Sequence, residues 1–89
     1  VESKKEVKKM VVIETGGLIA LGAGLAMAGA ALATAWAQSA IGSSAMGTIA
    51  EKPDQATKLI IWLAIPETIV ILGFVIALLL TFQIAPAAA

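Results

Sequence analysis

Glu51-Lys52-Pro53-Asp54-Gln55 decides the fold, because it is the one polar interruption between two long apolar runs. Charge, proline and a turn-forming aspartate make it a tight loop. Upstream, Val11 to Ala50 contains a single ionisable residue, Glu14. Downstream of Lys58 the single ionisable residue is Glu67. A helix crosses a bilayer with about 20 mostly apolar residues. The chain therefore reads as an all-α, two-helix transmembrane hairpin in one membrane domain, 1–89. Helix 1 is expected over about 11–50, the polar loop over 51–56 and helix 2 over 57–83. Helix 1 is about twice the length a bilayer needs, so it either projects beyond the membrane or breaks near Gly16-Gly17.

Composition agrees with a membrane class. The chain has 89 residues, 60% of them hydrophobic, and a mean hydropathy of +0.97. A soluble domain of this size could not hide that much apolar surface in its own core. Formal charge is zero, and no basic tail suggests nucleic acid. Histidine and cysteine are absent, which removes disulfides, thiolate metal sites, Ser-His triads and the usual zinc ligand sets.

Small residues recur every four positions in helix 1, at Gly16, Ala20, Gly24 and Ala28, and again at Gly22, Ala26 and Ala30. In lipid, such faces let backbones approach closely, since hydrophobicity alone does not drive helices together. They serve either a contact within one hairpin or packing on several sides, as in an oligomer; their extent favours the oligomer. Helix 2 is bulkier, dominated by Leu, Ile and Val, and suits a lipid-facing position. The tail from Ala85 to Ala89 has no readable role.

Glu67 carries the chemistry. A carboxylate at mid-membrane costs several kcal/mol unless paired, hydrated or protonated, which makes it a functional candidate. Gln38 lies 14 positions before Lys52, and Glu67 lies 14 positions after Pro53. At about 1.5 Å per residue both sit roughly 20 Å from the loop. The hairpin therefore places a carboxamide and a carboxylate at one depth. The amide can donate to the carboxylate and offer its carbonyl oxygen to a cation. Pro66 has no N–H, so the Trp62 carbonyl loses its helical partner. It also biases Ile65 away from helical geometry, which frees further carbonyl oxygen. Thr68 adds a hydroxyl, unless it bonds back into its own helix. Trp36 and Trp62 lie near this depth and either line the site or pack between helices.

Pro66-Glu67-Thr68-Ile69-Val70-Ile71-Leu72-Gly73, Gln38 in a Gly/Ala-rich first helix, and Glu51-Lys52-Pro53 at the turn together resemble the ring-forming proteolipid of rotary ATP synthases, called c, K or L. The resemblance spans roughly 16–82. The Pro-Glu-Thr stretch and the Gly47-Thr48-Ile49-Ala50-Glu51 approach to the loop are closer to the archaeal and bacterial A/V-type branch. The resemblance implies a ring of identical hairpins embedded in lipid, helix 1 inside and helix 2 outside. It makes Glu67 the ion-carrying carboxylate, which, with Gln38, Thr68 and the Ile65 carbonyl read from the residues, gives the expected ion-binding set, with no cofactor and no catalysis by the chain itself. A stator protein bearing an arginine would displace the ion, and a central stalk would dock on the loop 51–55. In sodium-binding relatives extra hydroxyls accompany these residues; here the corresponding positions are Ala37 and Ile69. The expected cargo is thus a proton, with sodium as the alternative. A structural or channel-forming hairpin without a rotary partner is the rival reading.

The family's orientation puts the loop in the cytoplasm and the termini outside, in the cell membrane of a prokaryote. Lys4, Lys5, Lys8 and Lys9 near the N-terminus argue the reverse by the positive-inside rule. A leader that set the orientation before its cleavage would reconcile the two.

Overall fold

The structure, a computed structural model, describes residues 2–85; of the Ala-rich tail, 86–89 lie outside the described residues. Helix α1 runs Glu2–Glu51. A 3-10 turn, Pro53–Gln55, reverses the chain, and α2, Ala56–Ala64, and α3, Glu67–Thr81, form the returning arm. Among the described residues no strand occurs. The arms pack antiparallel, and the long dimension is 75 Å, the length expected of a 50-residue helix.

The reversal follows from Lys52-Pro53. The Lys52 N–H closes the last turn of α1 on the Thr48 carbonyl at 2.7 Å. Its own backbone then leaves helical geometry, with φ −134° and ψ 82°, as expected of a residue before proline. Pro53 opens the next turn, where a missing N–H costs nothing. The Gln55 N–H returns to the Lys52 carbonyl at 3.0 Å.

Of the two readings of helix 1, the break at Gly16-Gly17 is not found; α1 is continuous from Glu2. In an apolar medium no water competes for backbone hydrogen bonds, so glycine need not end a helix. Gly16 is also packed, with Ile84 alongside. Nor does Pro66 drive Ile65 out of helical geometry: Ile65 has φ −59° and ψ −48°. The chain instead tightens locally, with Thr68 N–H bonding to the Ile65 carbonyl and Ile69 N–H to the Pro66 carbonyl, each three residues back. That short register accommodates proline without opening the arm.

The buried line of α1 includes Ala23, Thr34 and Ala45. At Gly73 the arms touch most closely. A Cβ there would collide with the Ala30 Cβ and lie 3.2 Å from the Ala26 carbonyl oxygen. Nearly everything else apolar faces outward: Leu18, Leu32, Trp36 and Phe82 are all at least 70% exposed. Trp36 therefore does not pack between the two arms, while Trp62 borders the groove between them with Ile41 and Ala45. Two arms long and apolar enough to cross a membrane, with so little internal burial, need an apolar solvent or further copies around them.

Gly73→Ala should loosen the α1–α3 contact by about 1–3 kcal/mol, read as a lower unfolding midpoint in detergent by Trp fluorescence. Gly47→Ala, with open space at its Cβ, should leave that midpoint unchanged or slightly raised.

Candidate ion-binding site

The site forms where the returning arm tightens at Pro66. Glu67 is the first residue of α3, where the helix dipole favours negative charge. Gln38 projects from α1 opposite it. Its Nε2 donates to Glu67 Oε2 at 2.7 Å, and at 3.4 Å to the Leu63 carbonyl. The depth match read from the loop thus becomes a direct contact. Gln38 is half-buried, whereas Glu67 lies on the exposed surface of the hairpin. A carboxylate accepts on two oxygens, and among the described residues Gln38 is the side chain that donates to this one.

Thr68 and Ile65 behave differently. The Thr68 hydroxyl donates to the Ile65 carbonyl at 2.8 Å, and the Thr68 N–H donates to the same oxygen at 3.2 Å. These two residues satisfy one another rather than meeting the carboxylate. The carbonyl that receives Gln38 is Leu63's, where proline chemistry alone pointed to Trp62's.

Sequence reasoning missed Thr34. Its hydroxyl donates to the Pro66 carbonyl at 3.1 Å, and the residue is only 4% exposed. A signal existed: Thr34 is four residues before Gln38, so both lie on one helix face. The two side chains of α1 thus hold the irregular stretch of the returning arm from one side, Thr34 at Pro66 and Gln38 at Leu63 and Glu67. The described residues contain no group of three acidic, histidine or cysteine side chains able to hold a metal ion. The chemistry available is one carboxylate, one carboxamide and nearby carbonyl oxygens.

Such a site defines a class: a helical hairpin of the membrane with one hydrogen-bonded carboxylate on its returning arm. The sequence profile of the ATP synthase C-subunit family matches residues 21–80. The K subunit of the V-type sodium ATPase of Enterococcus hirae is 45% identical over 67 residues, covering 75% of this chain and 43% of that protein. This chain belongs to the ATP synthase C-subunit family. It spans less than half the length of that curated relative.

Thr34→Val should keep the shape of the side chain but lose its bond to Pro66, lowering hairpin stability by about 0.5–1.5 kcal/mol. Detergent unfolding measures the loss, and carbodiimide labelling of Glu67 should persist in the variant.

Proposed function

We propose that the chain is a rotor-ring subunit of an A/V-type ATP synthase or ATPase, carrying one ion per hairpin on Glu67. Identical hairpins form the ring, with the slim Gly/Ala-rich α1 inside and the bulkier returning arm toward lipid. The chain catalyses nothing itself. It couples ion passage, through a stator protein bearing an arginine, to rotation of a stalk docked on the loop 51–55. The observation that carries this reading is the Gln38–Glu67 hydrogen bond with the carboxylate on the hairpin's outer face. A buried, locked carboxylate could not exchange its ion, and an unpartnered one would not be oriented. Desolvation disfavours a charged carboxylate, so a loaded, neutral site crosses lipid more cheaply than an empty one. A stator cation favours the charged form and releases the ion. The membrane potential supplies about 2.3 kcal/mol per charge per 100 mV.

The proposed cargo is a proton. A proton needs one carboxylate oxygen and one supporting hydrogen bond, and Gln38 supports the carboxylate. Sodium needs several oxygen ligands. The Thr68 hydroxyl is turned to Ile65, and Ala37 and Ile69 bring no hydroxyl. Sodium is the second reading, favoured by the Enterococcus relative, which is a subunit of a V-type sodium ATPase. Carbodiimide labelling of Glu67 in the assembled ring should be unaffected by sodium at fixed pH. Strong protection by millimolar sodium would transfer the reading to sodium. Glu67→Gln should abolish ATP-driven ion pumping by the complex; full pumping in that variant would defeat the rotor reading.

The orientation proposed with it is loop inside and N-terminus outside. With no cysteine in the sequence, single replacements report cleanly. In intact cells an impermeant maleimide should label Ser3→Cys and leave Asp54→Cys unlabelled; the opposite pattern would invert the topology.

A further inference from the structure

The end of α1 beyond the described returning arm carries a charge arrangement that the ion site leaves unexplained. Gly16 lies beside Ile84, near the end of the described returning arm. Residues 2–11 continue past the described arm as exposed helix for roughly 15 Å. Among the described residues, the side-chain hydrogen bonds begin only at Thr34.

Helical geometry sorts the charges of this segment. The face of α1 turned to the returning arm runs through Val12, Gly16, Ile19 and Ala23, the less exposed positions. At about 100° per residue, Glu2 and Glu6 lie about 90° to one side of that face. Lys4 and Lys8 lie about 70° to the other side. Lys5 and Lys9 point over the end of the returning arm, and Met10, Val7, Ser3 and Glu14 point away from it. Glu2 and Glu6 each have an intrahelical lysine three residues on, Lys5 and Lys9. Lys4 and Lys8 have no acid three or four residues away in either direction. They are instead four residues from one another, a like-charge spacing that disfavours an isolated helix.

Lower down, glycines open both flanks. Gly17 and Gly24 lie on the glutamate flank and Gly29, about 30 Å below Lys8, on the lysine flank, and each has open space at its Cβ. Both flanks thus let another α1 approach closely, and above each close approach stands a charged column of opposite sign.

We propose that the projecting helices form a collar in which Lys4 and Lys8 of one copy face Glu2 and Glu6 of the next. This rests on the reading of the chain as a ring of identical copies. The contact is head-to-tail, acid flank against basic flank, which is the type that closes a ring by rotation. Partners differ in height by two residues, about 3 Å, within reach of both side chains. The outermost, membrane-distal part of the assembly would then be held by ion pairs, where the small-residue packing of the membrane has ended.

The test uses the full chain, purified as its oligomer in detergent, with dissociation to single hairpins followed at low salt. K4E/K8E and E2K/E6K should each speed dissociation roughly tenfold, because facing columns become like-charged. Combining the two pairs of reversals should restore the original rate, and high salt should remove the differences. Unchanged dissociation in both reversals would overturn the collar while leaving the ring intact. A loss in K4E/K8E that the combined variant does not repair, and that appears only in vesicles containing anionic lipid, would assign the lysines to headgroups and overturn it too. A wild-type chain that purifies only as a single hairpin would overturn both the collar and the rotor reading.

Discussion

Every unusual feature of this hairpin answers one constraint: hydrocarbon offers no water to a polar group, so each must find its partner in protein. For the part of α1 that crosses the membrane, that means an unbroken helical backbone, which tolerates its glycines because nothing there competes for its hydrogen bonds. For the returning arm it means repairing the damage of Pro66. Two backbone bonds shorten to a three-residue span, Thr68 caps the Ile65 carbonyl, and Thr34 reaches across from α1 to the Pro66 carbonyl. Gln38 completes the set by bonding both Leu63 and Glu67. The candidate ion site is thus built into the repair of a proline defect.

The register that makes this possible depends on small residues. Gly73 against Ala26 and Ala30 brings the arms into near contact. Gly42 against Leu63, and Gly16 against Ile84, continue the same antiparallel register toward the two ends. A larger residue at 73 would hold the arms apart less than two helical turns from Glu67. Van der Waals packing, rather than hydrophobic exclusion, sets helix distance in lipid, so the precision of the Gln38–Glu67 contact is inherited from a glycine.

The exposed surface has the opposite character. Apolar side chains cover it, and the carboxylate opens onto it. A hairpin so poorly buried is half of an interface, which fits a family whose members act within ATP synthases. The charged end of α1 and the polar loop 51–55 interrupt that apolar surface.

The sequence by itself determined the hairpin and the depth of its site. A tight polar loop between two apolar runs leaves no other arrangement, and a constant rise per residue then pairs Gln38 with Glu67 by counting from the turn. It also marked Pro66 as the irregular point. What it did not determine was how that irregularity resolves. Ile65 stays helical, Thr68 turns back to its own arm, Leu63 rather than Trp62 meets Gln38, and Thr34 joins the site. Those outcomes depend on which carbonyls face α1 once Gly73 has fixed the helix separation. Local sequence cannot specify that direction, because the same proline could have been satisfied from any side; only the packed neighbour selects one.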